Sequence, residues 1–345
     1  MSAPQGIQDD DRDPAAGSTQ HSPLRGDRVL VTGASGFIGR HLCARLVAAG
    51  AEVFAVSRGG RPSDAAVAPA SQWRRADLTD REAVLATMLW AQPHRVVHLA
   101  SMVKGARDRE LVAAMLRANL ESTVHLLDAA AELQCGRFVQ VGSLEEPDRG
   151  ESPGSPYAAS KAAASLYAEL YARLYALPVA RARVFMVYGP GPQDRAKLIP
   201  YVIDELLAGR RPKVSSGGRP IDWVFVEDVV DGLCRMLVEP AAVGERLDLG
   251  SGRLVTIREV VDRLVGMVTP RLEPEFGALR DRPGEVIRQA DVARTAALIG
   301  WRPRVDLDEG LRRTVEGLRP IDPATDHPAT DHPASDHPAS DTAQS

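Results

Sequence analysis

The chain has 345 residues, 44% apolar and 26% charged, with a formal net charge of −4 at pH 7. That length is enough to bury one large core or two associated ones, and a mildly acidic balance argues against nucleic acid or a membrane surface as partner. No apolar run approaches the roughly 20 residues of a membrane span, and the polar, acidic stretch from Met1 to Asp13 resembles neither a secretion signal nor a transit peptide.

Residues 1–24 are rich in Asp, Gly, Ser, Pro and Gln without periodicity, which predicts a disordered leader. Val29-Leu30-Val31 then reads as a strand entering a turn with Gly33, Gly36 and Gly39. A helix follows, with Leu42, Leu46, Val47 and Ala49 on its apolar side and Gly50 as its stop. The next strand is Glu52–Val56. Beyond Ala76-Asp77-Leu78-Thr79-Asp80 comes a helical run to Leu89, then the strand Arg95–Ala100 and a helix from about Leu111 to Leu133. Phe138–Val141, a long helix from Tyr157 to Tyr175, and Val179–Phe185 close the alternation. The spacing predicts an α/β fold, a doubly wound parallel sheet of Rossmann type over residues 25–190. Residues 191–320 mix shorter elements with more Pro and Gly, predicting a smaller C-terminal α/β part for substrate, with some segments returning to the first domain. From 321 to 345 the PATDH repeats carry a Pro in every unit, which excludes helix and sheet; despite His327, His332 and His337, a solvated tail is expected. Cys43, Cys135 and Cys234 lie far apart in apolar patterns, predicting buried thiols of a cytoplasmic protein without metal-ligand spacing.

Strand, glycine turn and helix, in that order, suit a dinucleotide. Gly33 permits the tight turn, Gly36 lets a pyrophosphate approach the helix N-terminus, and Gly39 lets the helix pack close to the sheet. Downstream, Ser155-Pro156-Tyr157-Ala158-Ala159-Ser160-Lys161 starts a helix with Tyr157 and Lys161 on one face. An ammonium beside a phenol favours the phenolate and tunes it for proton exchange. Ser143 ends the preceding strand, where its hydroxyl can reach a substrate oxygen.

These stretches, with His98-Leu99-Ala100, Tyr188-Gly189-Pro190-Gly191, Lys197–Tyr201, Asp222–Asp228 and Gly300-Trp301-Arg302-Pro303, resemble the extended short-chain dehydrogenase/reductases, a group of nucleotide-sugar epimerases, 4,6-dehydratases and 4-ketoreductases. The resemblance implies a nicotinamide cofactor near Gly33, Ser35, Gly36, Phe37, Ile38, Gly39, Leu99 and Ala100. Asp77 and Leu78 would lie by the adenine, and Lys161 would hold the nicotinamide ribose. Ser143, Tyr157 and Lys161 would be the catalytic set.

Three departures refine the expectation. Ser57-Arg58 ends the second strand where NAD-preferring members place an acid; Arg58, with Arg61 nearby, suits a 2′-phosphate, so NADP(H) is favoured and NAD stays open. Met186 and Ile221 stand where the family carries polar diphosphate contacts, leaving Lys197, Arg219 and Arg282 as substrate candidates. Leu144 fills the first of two acid positions used by the dehydratases, so only Glu145 remains as an acid or base. With Phe276-Gly277-Ala278-Leu279 resembling reductases of the abequose-synthase type, the expected reaction is 4-keto reduction of a nucleotide-linked 4-keto-6-deoxyhexose. A 4-epimerase is the alternative within the group, and a non-catalytic NAD(P)-binding sensor is the alternative outside it. A nucleotide sugar is the expected partner, and a homodimer is left open.

Overall fold

The computed structural model describes residues 22–62, 72–281 and 284–319. The repeat tail, Arg282 and nearly all of the expected leader lie outside the described residues. The first half runs β1 (Arg28–Thr32), α1 (Phe37–Ala48), β2 (Glu52–Ser57), β3 (Trp73–Arg75), α2 (Arg81–Ala91), β4 (Arg95–His98), α3 (Leu111–Met115), a π-helical turn (Leu116–Glu121), α4 (Ser122–Glu132), β5 (Arg137–Ser143), α5 (Pro156–Leu174) and β6 (Val179–Val184). The second half runs β7 (Met186–Tyr188), α6 (Leu198–Leu207), β8 (Lys213–Val214), β9 (Pro220–Phe225), α7 (Val226–Val238), β10 (Arg246–Leu249), β11 (Leu254–Thr256), α8 (Ile257–Val268), β12 (Glu275–Phe276), α9 (Val292–Ile299) and α10 (Leu307–Leu318).

Seven strands form one sheet in the order β10-β6-β5-β4-β1-β2-β3, parallel throughout. Both faces are covered, which is why the central strands are continuously apolar rather than alternating. Val29 and Val31 of β1 pack with Leu42 and Leu46 of α1 and Val229 and Leu233 of α7. Leu30 points the other way, to Met88 of α2, Leu126 of α4 and Tyr171 of α5.

The sheet extends one strand beyond the apolar alternation that ends at Phe185. β10 pairs with β6 from Arg246↔Arg181 to Leu249↔Val184. It reads Arg-Leu-Asp-Leu because it is an edge strand: Leu247 and Leu249 are buried in the core, whereas Arg246 and Asp248 make ion pairs.

A second core lies over the strand ends, where β7 and β9 pair in parallel, β9 and β11 pair antiparallel, and α6, α8 and α10 pack around them. Ile203, Trp223, Phe225 and Val261 fill it. The two parts are pinned together by Trp301, which is fully buried in the first core. Its Nε1 donates to the Asp228 carbonyl oxygen at 2.9 Å, and the Asp228 carboxylate accepts from Arg304 and Val305 N–H. Trp301→Ala should therefore cost about 3–5 kcal/mol, the range for deleting a large buried aromatic, read as a shift in the urea midpoint.

Candidate active site

The turn after β1 is built by the absence of side chains. Gly33 has φ +68, and a Cβ there would stand 2.7 Å from Ala100 N at the end of β4. At Gly39 a Cβ would collide with the Gly33 carbonyl oxygen. α1 begins behind Gly36 with no side-chain cap and no acid in its first turn, so its leading N–H groups at Phe37 and Ile38 suit an anion. In front lies a cavity of about 320 Å³ lined by Gly33, Ser35, Gly36, Arg58, Asp77, Leu78, Leu99 and Ala100, among others. Eight of the expected cofactor residues meet there. The glycine cradle, the uncapped helix and the cavity fit a dinucleotide. Arg58 is exposed at the wall, and the Asp77 carboxyl is held below the usual range, first by hydrogen bonds from Thr79 N–H and hydroxyl and also by the Arg58 charge.

Ser143, Tyr157 and Lys161 come together at the end of β5. Ser155 caps α5 through Ala158 N–H at 3.0 Å and Pro156 occupies its first turn, which sets the helix start that places Tyr157 and Lys161 one turn apart. All three side chains are buried. Ser143 hydrogen-bonds Tyr157, and its Oγ also accepts from Glu145 N–H at 3.2 Å. Glu145 in turn accepts from the Ser155 hydroxyl at 3.2 Å.

The electrostatics correct one expectation. Lys161 does not lower the Tyr157 phenol in the protein alone. Burial pushes that phenol well above its ordinary value; the Ser143 hydrogen bond pulls it down, and the charges of Glu145 and Glu146 push it up. Lys161 donates its Nζ to the Val141 carbonyl oxygen at 2.6 Å, and burial brings it down to about 8 against the pull of Glu146. Glu146 itself is buried, accepting from Ser143 N–H at 2.8 Å and the Ser165 hydroxyl at 2.7 Å.

Two contributors had no role assigned from the sequence: Asn119, which lay in no motif, and His98, which lay in one. Asn119, in the π-helical turn, accepts from Met102 N–H at 2.7 Å and donates to Ser160 Oγ at 2.9 Å, bracing the helix that carries Tyr157. His98 is enclosed between Thr32 and Thr123. Thr123 donates to the Asn119 carbonyl oxygen, so it accepts from His98 Nε2–H at 3.0 Å. Thr32 accepts from Ala100 N–H and donates to Nδ1 at 2.7 Å. The imidazole is a neutral link in that chain.

The expected substrate residues are more scattered. Lys197 is exposed at the start of α6. Arg219 pairs with Glu285 at 2.7 Å and donates to the Val286 carbonyl oxygen, so its charge is already partnered within the chain. Met186 is half-buried against apolar neighbours and supplies no polar contact.

Residues 29–250 match the profile of the NAD dependent epimerase/dehydratase family. The chain belongs to that family. It is 33% identical over 312 residues to a UDP-glucose 4-epimerase of Mycolicibacterium smegmatis, covering 85% of this chain and 98% of that protein. It is also 33% identical to a dTDP-glucose 4,6-dehydratase of Streptomyces antibioticus, over 84% and 92% of the two chains. Among solved structures, the UDP-glucose 4-epimerase of Thermus thermophilus in complex with NAD superposes with a TM-score of 0.71 at 28% identity, covering 85% and 99% of the two chains. As a member of this epimerase/dehydratase family, the chain is an enzyme with a Rossmann-type sheet.

The buried His98 gives the family fold here a pH signature. Burial, aided by the Lys161 charge, lowers its pKa to about 3 from an ordinary 6.5. The unfolded chain takes up the proton first, so this contribution to stability is complete above pH 6.5 and is lost as pH falls toward 3. His98→Gln should flatten the fall of Tm between pH 6.5 and 4 relative to wild type, measured by thermal melts across that range.

Proposed function

We propose that the chain reduces the C4 ketone of a nucleoside-diphosphate 4-keto-6-deoxyhexose, with NADP(H) preferred. Residues 25–190 would hold the cofactor and 191–320 the sugar nucleotide. The observation that carries this reading is the buried apolar side chain of Leu144 in the first acid position, beside a hydrogen-bonded Ser143–Tyr157 pair that can hand a proton to a ketone oxygen.

A nicotinamide cofactor bound at the glycine turn would supply the hydride. Ser143 positions the ketone oxygen, and Tyr157 holds the proton that the developing alkoxide takes. Lys161, on the same face of α5 with its Nζ on the Val141 carbonyl oxygen, would hold the nicotinamide ribose. Leu144 supports the reductase over a dehydratase: it is buried, with its N–H donated to Val184, so an apolar side chain fills the first acid position. Arg58, at the cavity wall, supports the choice of NADP(H).

A 4-epimerase is the second reading, supported by the 33% identity to a UDP-glucose 4-epimerase along nearly its whole length. The three free thiols at Cys43, Cys135 and Cys234 fit a cytoplasmic setting, and among the described residues no helix is long and apolar enough to cross a membrane. Leu166, Leu170 and Leu174, four residues apart on α5 and exposed, suit a homodimer face.

Purified enzyme should consume NADPH with a nucleotide-linked 4-keto-6-deoxyhexose; retained NAD and interconversion of UDP-glucose with UDP-galactose would favour the epimerase instead. Tyr157→Phe should lower turnover about 10²–10⁴-fold while cofactor affinity and Tm stay near wild type. Arg58→Asp should weaken NADPH and spare NADH in a binding titration. Tighter binding of NAD than of NADP by the wild type would overturn the cofactor assignment.

A further inference from the structure

The stretch between Ser143 and Tyr157 is held from the far end of the chain. Only 7% of the Arg288 side chain is exposed, and among the described residues its hydrogen bonds and ion pairs all go to residues 144–151. Nη1 donates to the carbonyl oxygens of Leu144 at 2.5 Å and Glu146 at 2.6 Å. Nη2 donates to Glu151 at 2.5 Å, and Nε pairs with Asp148 at 3.2 Å. The two carbonyls flank Glu145, whose N–H is bonded to Ser143 Oγ.

The backbone carrying Arg288 is itself fixed. Ala290 N–H donates to Asp222 at 2.9 Å and Asp291 N–H to Asp248 at 3.0 Å. On the other side, Arg219 holds Glu285 and the Val286 carbonyl, and Arg107 donates to the Gly284 carbonyl at 3.2 Å. Asp148 is gripped from the sheet edge as well, by Arg183 at 2.8 Å and Arg246 at 2.9 Å.

We propose that Arg288 is a positioning residue of the reaction, through which the C-terminal segment 284–291 sets the 144–151 loop and so aligns Ser143 and Glu145 with Tyr157. The fork of a guanidinium is needed because four acceptors lie around it in several directions, and one ammonium cannot span them. Burying this charge is tolerable only because its acceptors include two carboxylates and two carbonyls. A loop that slips by about 1 Å costs on the order of 10²-fold in turnover without touching cofactor binding.

This inference rests on the placement of Ser143 and Tyr157 in the catalytic set. Wild-type turnover is therefore scored first, with NADPH and a 4-keto-6-deoxy sugar nucleotide and with UDP-glucose and NAD. Failure of the first reaction counts against the reductase reading alone, and the variants are then compared on the second and on deuterium exchange of the full chain. Arg288→Lys should lower kcat about 10²-fold, with the sugar KM and the cofactor Kd changed less than about threefold. Amides of residues 144–151 should exchange faster while those of β5 and α5 keep their protection. Glu151→Gln, which removes one partner's charge and leaves Arg288, should shift both readouts the same way by less. Arg294→Lys, which alters an arginine bonded to Glu245 and to the Arg246 carbonyl, serves as control and should leave both unchanged. Wild-type kcat and exchange in Arg288→Lys would overturn the proposal. So would a parallel loss of Tm, cofactor affinity and kcat in both Arg288→Lys and Glu151→Gln, because that pattern describes a merely structural ion pair.

Discussion

The site depends on how closely β1 and β4 approach at their C-terminal ends. Helices leave these neighbours to opposite faces: α1 joins the core with α7, and α4 joins the core with α2 and α5. The chain therefore diverges there and opens a crevice. Gly33 keeps the crevice narrow at its base, because any side chain at that position would meet the backbone of Leu99 and Ala100. Thr32 completes the junction, its carbonyl accepting from Leu99 N–H and its hydroxyl from Ala100 N–H. The cavity and the His98 chain both stand on that junction.

Behind the reacting face lies an unusually polar interior, with His98, Asn119, Gln140, Glu146, Lys161 and Ser165 all buried. Buried polar groups are costly unless bonded. Here the donors and acceptors form chains: Thr32–His98–Thr123–Asn119–Ser160 on one side and Ser143–Glu146–Ser165 on the other. Gln140 is the exception, since its Nε2 has no partner among the described residues. Such chains constrain rotamers more tightly than apolar packing, which holds Ser143 and Tyr157 in one geometry.

Much of this was legible in the residue order, for physical reasons that differ by element. The glycine turn and the Ser155-Pro156 helix start are local: steric clearance and capping act within a few residues, so spacing alone reveals them. β10 was not legible as a strand of the main sheet, because an edge strand with two ion-paired side chains lacks a buried strand's apolar run. The π-helical turn left no trace in the apolar period between Leu111 and Leu133. Arg219 read as a substrate contact, yet its partner Glu285 lies 66 residues away and no short-range pattern announces such a pair. Arg288 escaped notice for the same reason, its two carbonyl and two carboxylate acceptors all lying far back along the chain in residues 144–151.

The late arrival of β10 bears on how the chain emerges from the ribosome. The first six strands are complete by Val184, but β10, which ends at Leu249, pairs with the edge of β6, and α7 packs on the part of α1 that the sheet leaves open. At about 5–20 residues per second, a nascent chain that has finished β6 waits roughly 3–13 s for its sheet to close. During that interval an open strand edge and an apolar helix face are available for wrong pairings. The unit of translation that can safely fold by itself is thus not the nucleotide-binding half but a stretch reaching past residue 249, so a fragment ending near residue 190 would be a poor choice for expression.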